Sequence, residues 1–283
     1  MNEKDLKGKS IGLVLSGGGV RGMGHIGVLK AMKEYGIEAS LVSGSSAGAL
    51  VGALYASNST IDDMLSFFKE TPLFKYNFLT INKPGLVDTE RYYDIFNTYI
   101  PYDTFEALEK KLFVMTTNLE KGEEEVFHFG ELITPLLASA ALPPVFSPVN
   151  INNSLYADGG IMNNFPSEPL KDKADFILGS NVSVIKPVTK KEISSSYQLA
   201  SRTTSLMVYA INRQKIRNCH IVFEPKELEA IGVFEKKGIE KGIEFYKKHI
   251  DLTDYYMDKN EIIVAGYRLL GVKMLKMLLK FLN

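Results

Sequence analysis

The residues able to carry chemistry in this chain sit in three short glycine-rich stretches. GSSAG, residues 44–48, matches G-x-S-x-G with Ser46 between Gly44 and Gly48. With 23 glycines in the chain, roughly 0.13 such matches arise by chance, so context has to decide. A strand-like run precedes the motif and a small-residue helix follows it. There the flanking glycines permit a sharp turn that lifts a serine Oγ above the sheet edge. The helix N-terminus behind it favours developing negative charge. A tight Gly/Ser turn capping a buried helix fits the same letters.

LSGGGVRG, residues 15–22, also reads in two ways. Gly17, Gly19 and Gly22 satisfy the G-x-G-x-x-G fingerprint of a dinucleotide-binding turn. The same glycines could present backbone N–H groups to an oxyanion, with Arg21 beside them. A second overlapping frame, Gly22, Gly24 and Gly27, shows how loosely such a turn meets the fingerprint. A dinucleotide site also wants an acid at the end of the second strand, to bind the ribose. Here that strand ends in Val42–Ser43–Gly44, and the nearby acid, Glu38, precedes it. The cofactor reading falls there, and no cofactor is expected.

A serine nucleophile needs a base, usually histidine because its pKa lies near neutrality. His25 lies inside the first helix near the glycine loop and reads as a packing or loop-orienting residue. His128 and His220 lie in apolar strand-like runs, and His249 follows two lysines at a helix C-terminus. None sits in a turn of the kind that presents a catalytic base. The better candidate is Asp158 in YADGGIMNNFP, residues 156–166, directly before Gly159 and Gly160. Asp-Gly-Gly is also an ordinary turn, and an unperturbed aspartate is a weak base with a pKa of about 3.9. Burial beside the serine would raise that pKa. Arg21 is then better aimed at the oxyanion or the loop, since pairing with Asp158 would lower its basicity. No cluster of ligands with metal-binding spacing appears, so no metal is expected.

These residues must be held by a regular frame. Residues 10–15 read as a buried strand, 20–35 as a helix closed by Gly36, 39–43 as a second strand and 46–57 as a second helix. Strand–turn–helix twice in succession is the pattern of a parallel sheet covered by helices. Helices over residues 61–70 and 89–99 follow, the second capped by Asp88 or Thr89. Residues 111–118 and 125–129 form a strand pair, and a helix over 131–141 is stopped by Pro143 and Pro144. A hairpin joins 145–149 to 154–157 over Asn152–Asn153, and residues 175–184 read as another sheet strand. Helical patterns then dominate, at 193–215, 235–250 and the tail, with a strand at 220–224.

In order along the chain, SGGGVRG, GSSAG and ADGG, with LASAALPPVFSPV leading into YADGGIMNNFP, resemble the patatin-like phospholipase family in its bacterial branch. The resemblance covers roughly residues 9–184. It implies a three-layer α/β/α fold with a mostly parallel central sheet, and a Ser–Asp dyad lipid acyl hydrolase without a catalytic histidine. Ser46 matches the nucleophile and Asp158 the acid that accepts its proton. Gly17, Gly18 and Gly19 match the oxyanion loop and Arg21 its arginine; Gly44, Gly48, Gly159 and Gly160 support the turns. Ser16 departs from the pattern, since some members carry aspartate there. It precedes the N–H donors, so little consequence for the chemistry is expected. The implied substrate is a phospholipid or another acyl ester. A Ser–Asp–His esterase and a non-catalytic lipid-binding protein on the same scaffold are the competing readings.

The remainder is read from composition. Residues 9–184 are expected to form the catalytic core, and 185–283 a helical region packed on it. Zero formal net charge over 283 residues offers no basic field for nucleic acid. The single cysteine, Cys219, excludes an internal disulfide. The charged start, without an apolar signal core, points to the cytoplasm. In the tail, residues 261–283, one acid stands against four bases, and its three lysines share one side of a helix at about 100° per residue. Such a helix suits peripheral contact with the inner membrane surface, its own core, or a sister subunit in a homo-oligomer.

Overall fold

The computed structural model describes residues 9–71, 78–80, 82–224 and 228. Its centre is an eight-stranded mixed sheet: β1 Ile11–Leu15, β2 Leu41–Ser45, β3 Lys111–Asn118, β4 Glu123–Phe127, β5 Val149–Ile151, β6 Ser154–Asp158, β7 Phe176–Ser180 and β8 Ile221–Phe223. The order is β5-β6-β3-β2-β1-β7-β8, with β4 paired to β3. β3, β2, β1, β7 and β8 are mutually parallel, while β4, β6 and β5 join antiparallel. The parallel strands are short apolar runs because they are buried on both faces.

Alternation along each strand divides the core into two layers. Leu13, Leu15, Val42, Leu112, Val114 and Leu178 face the larger cluster. The helices α1 Met23–Glu34, α2 Ala47–Ala56, α3 Ile61–Glu70, α4 Tyr93–Tyr99 and α5 Ile133–Ser139 pack their buried side chains into that cluster. Val14, Phe113 and Ile177 face the other way, onto Phe165 and Leu170, with Ile216 and Cys219 at their edge. This three-layer α/β/α arrangement is the expected architecture. The sheet does not stop at the compositional change after residue 184, since β8 pairs with β7 in parallel.

Several boundaries differ from expectation for local reasons. The second strand is Leu41–Ser45 rather than 39–43, because the backbone of Gly44 and Ser45 is paired to β1 and β3. The first helix opens as a 3-10 turn over Gly19–Gly22, and Gly36 (φ +63°) ends it. The helix expected over 89–99 likewise starts as a 3-10 turn, Thr89–Tyr92, where Asp88 is the cap. The hairpin strands are Val149–Ile151 and Ser154–Asp158. Asn152 and Asn153 both have positive φ, the twist a two-residue hairpin turn requires. The helix α6, Ser196–Lys215, is capped by Ser195 and Gln198 and is largely exposed. The segments 235–250 and 261–283 lie outside the described residues. Among the described residues no helix is long and apolar enough to cross a membrane.

Candidate active site

Sheet register brings the two chemistry-bearing turns together. β4 occupies one edge of β3 along Val114–Asn118. A strand has only two edges, so β2 and β6 must share the other. β2 ends with Ser45 opposite Met115, and β6, running the opposite way, ends with Asp158 opposite Thr116. The two strands meet end to end on β3, and the turns that follow them face each other.

At the first turn Ser46 adopts φ 52° and ψ −127°, a conformation that costs a non-glycine residue about 1–3 kcal/mol. The surrounding backbone enforces it. A Cβ on Gly48 would lie 2.2 Å from the Leu15 carbonyl oxygen, and one on Gly44 2.5 Å from that of Gly48. Only glycine lets the strand and helix approach this closely. The Ser46 N–H donates to Ser139 Oγ at 2.9 Å, and that hydroxyl donates to the Met115 carbonyl at 2.6 Å. Its side chain is then free to point at the second turn.

Ser46 Oγ donates to Asp158 Oδ2 at 2.7 Å. Asp158 is buried, and its other oxygen, Oδ1, accepts from the Gly160 N–H at 2.7 Å. Burial pushes the carboxyl pKa up to about 6, against the hydrogen bonds from Ser46 and Gly160, which lower it. The rise turns a weak base into one matched to near-neutral pH. Gly159 permits the turn, since a Cβ there would lie 2.3 Å from the Met115 carbonyl oxygen. The arrangement can move a proton from a half-buried hydroxyl to a buried carboxylate.

The glycine loop abuts this pair: a Cβ on Gly17 would come within 3.1 Å of Ser46 Cβ. Gly17, however, donates its N–H to the Asn164 carbonyl at 3.0 Å, which removes it from the set of donors expected at 17–19. No described residue accepts from the N–H of Gly18 or Gly19. Gly19 takes φ +57°, a left-handed conformation that glycine adopts without strain. Arg21 follows on the 3-10 turn, partly buried.

The described histidines stand apart from Ser46. His25 is buried, with Nε2 2.8 Å from the Ser16 carbonyl and Nδ1 2.7 Å from Ser180 Oγ. A carbonyl can only accept, so Nε2 carries the proton and Nδ1 accepts from Ser180. Burial lowers its pKa to about 4, leaving a neutral ring that ties the glycine loop to β7. His128 packs between Phe113 and Phe129; His220 stacks on Phe176 and accepts from the Ile177 N–H. His249 lies outside the described residues. Among the described residues no group of three or more metal-ligating side chains is assembled. Ser139, Asn164 and Ser183 carry no sequence signal of their own, although Ser139 falls within LASAALPPVFSPV and Asn164 within YADGGIMNNFP.

Residues 13–171 match the patatin-like phospholipase family. A lysophospholipase NTE1 of Cryptococcus neoformans is 33% identical over 181 residues, which is 59% of this chain and 11% of that protein. An uncharacterized NTE family protein of Mycobacterium bovis is 30% identical over 163 residues, 56% of this chain and 45% of that one. The chain thus corresponds to less than half the length of either relative. Among solved structures, VipD from Legionella pneumophila aligns with a TM-score of 0.46 and 14% identity, over 95% of this chain and 79% of that one.

Proposed function

The chain belongs to the patatin-like phospholipase family, and from that premise we propose that it is a serine lipid acyl hydrolase working through a Ser46–Asp158 dyad. The observation that carries the reading is the 2.7 Å hydrogen bond from Ser46 Oγ to a buried carboxylate, made from a left-handed turn. Asp158 accepts the Ser46 proton as Oγ attacks an ester carbonyl. The N–H groups of Gly18 and Gly19 receive the oxyanion, with Arg21 beside them and the Gly17 N–H holding the loop. The tetrahedral intermediate collapses, the alcohol or lysolipid leaves protonated, and an acyl-Ser46 ester forms. Asp158 then takes a proton from water, whose oxygen attacks that ester, and passes the proton to Ser46 Oγ as the fatty acid leaves.

The substrate of this reading is a phospholipid, a lysophospholipid or a simpler acyl ester. Its setting is the cytoplasm, with the basic tail at residues 261–283 meeting an anionic inner-membrane surface or a second copy of the chain, and with residues 9–184 as the catalytic unit. The deciding experiment is fatty-acid release from lysophosphatidylcholine, phosphatidylcholine and p-nitrophenyl butyrate. Wild-type turnover abolished by both Ser46→Ala and Asp158→Asn supports the dyad. No release from any ester would leave a lipid-binding protein, and loss of activity in folded His249→Ala would replace the dyad with a triad.

A further inference from the structure

The loop that would meet the oxyanion is held by groups outside the three motifs. The Gly17 carbonyl accepts two hydroxyl hydrogen bonds, from Ser183 Oγ at 2.6 Å and from Ser16 Oγ at 3.0 Å. Each hydroxyl is itself fixed by a donor. Ser183 Oγ accepts from Asn164 Nδ2 at 3.1 Å, and Ser16 Oγ accepts from the Val182 N–H at 2.9 Å. Both lone pairs of this one carbonyl are therefore filled by oriented hydroxyls. The peptide unit is planar and trans, so its C=O and the following N–H point in opposite directions. Fixing the Gly17 carbonyl fixes the direction of the Gly18 N–H.

We propose that Ser183 is a positioning residue for the hydrolysis, aiming the Gly18 N–H at the oxyanion by pinning the Gly17 carbonyl. The inference rests on the hydrolase reading above and adds a residue beyond the family match at 13–171. Two hydroxyls on the carbonyl also polarise the peptide, which strengthens the N–H on its far side as a donor. Ser183 stands at the mouth of this network, half-buried, on the segment after β7. A Cβ on Gly18 would lie 3.6 Å from Ser183 Oγ and 2.6 Å from a Val182 methyl, so the peptide has little room to be held from another side.

The test compares wild type, Ser183→Ala and Ser183→Thr, the last keeping a hydroxyl. Kinetics on p-nitrophenyl butyrate should show kcat falling roughly tenfold or more in Ser183→Ala, with KM within about twofold. Removing a whole oxyanion donor costs roughly 10²–10³-fold, and a misaimed one should cost less. Ser183→Thr should recover most of the loss. The pH midpoint should not move, because Ser183 does not touch Asp158. A second readout needs no turnover. Labelling with carbonyl-¹³C and ¹⁵N glycine selects the three Gly–Gly peptides of the chain, among them Gly17–Gly18. Its carbonyl and amide resonances should shift in Ser183→Ala and return in Ser183→Thr.

Unmoved Gly17–Gly18 resonances in Ser183→Ala, wild-type kcat in that variant, or a Ser183→Thr no better than alanine would each overturn the proposal. A wild-type protein that cleaves no ester would instead defeat the hydrolase reading, and the resonances alone would still decide whether Ser183 sets the peptide.

Discussion

Asp158, at the end of β6, and His25, in α1, are both buried titratable groups, and burial shifts them in opposite directions, to about 6 and about 4. In each case burial penalises the charged form. What separates them is the partner. Both ring nitrogens of His25 are taken by Ser16 and Ser180, which hold a carbonyl and a hydroxyl in place. Asp158 commits one oxygen to the Gly160 N–H and leaves the other on a half-buried serine hydroxyl. A buried group becomes a candidate for chemistry when its partner has a proton to give and a side open to substrate. A buried group whose partners are all structural is scaffold.

The comparison breaks most visibly in activity. Asp158→Asn should lower kcat/KM on p-nitrophenyl butyrate by roughly 10²–10⁴-fold, the range for losing general base catalysis. His25→Gln should keep it within about tenfold of wild type, because glutamine Nε2 can still donate to the Ser16 carbonyl. A collapse in His25→Gln with a folded protein, matching that of Asp158→Asn, would make the two groups equivalent. A second effect is in pH. A carboxyl accepts a proton only when ionised, so under the proposed dyad kcat/KM should climb through a midpoint at about 6 and level off above it. Below the midpoint it should fall by about tenfold per unit. A profile flat from pH 5 to 8 would remove Asp158 from the base role.

Stability carries the next effect. The folded pKa of Asp158 lies above its unfolded value of 3.8, so its contribution is fully present below 3.8. It is lost as pH rises through about 6. Holding the carboxylate ionised at pH 8 then costs about 3 kcal/mol, at about 1.4 kcal/mol per pKa unit. Asp158→Asn should therefore be more stable than wild type at pH 8 in urea titrations, with the gain shrinking towards zero near pH 4. The proposed catalyst and the most stable fold differ at the same atom.

Much of this was legible in the sequence because it is local. GSSAG and ADGG present their residues through turns whose glycines are adjacent in the chain, and the apolar runs gave the layered sheet. The pairing of Ser46 with Asp158 across 112 residues is not local; it depends on β2 and β6 ending at successive positions on one edge of β3. No periodicity encodes that register. The extension of β2 through Gly44 and Ser45 was hidden for a related reason. Small residues read as a turn, whereas here they are paired strand backbone, kept small by the approach of Gly48. The commitment of the Gly17 N–H to Asn164, and the hydroxyls of Ser16 and Ser183 on the Gly17 carbonyl, depend on single polar groups meeting in space.

The last effect is the most specific. The folded pKa of His25 is depressed below the ordinary 6.5, so its contribution is present above pH 6.5 and lost as pH falls towards about 4. That loss is also about 3 kcal/mol, and between pH 4 and 6 it opposes the gain from protonating Asp158. Measured as a difference from wild type, which cancels every other titrating group, the two variants should tilt in opposite directions across this window. Asp158→Asn should lose its advantage as pH falls. His25→Gln should start about 1–2 kcal/mol less stable at pH 7, from poorer hydrogen bonding, and then gain on wild type as pH falls. Urea midpoints at half-unit intervals resolve the two slopes. Slopes of the same sign would mean that one of these groups is not held in the buried state that its hydrogen bonds describe.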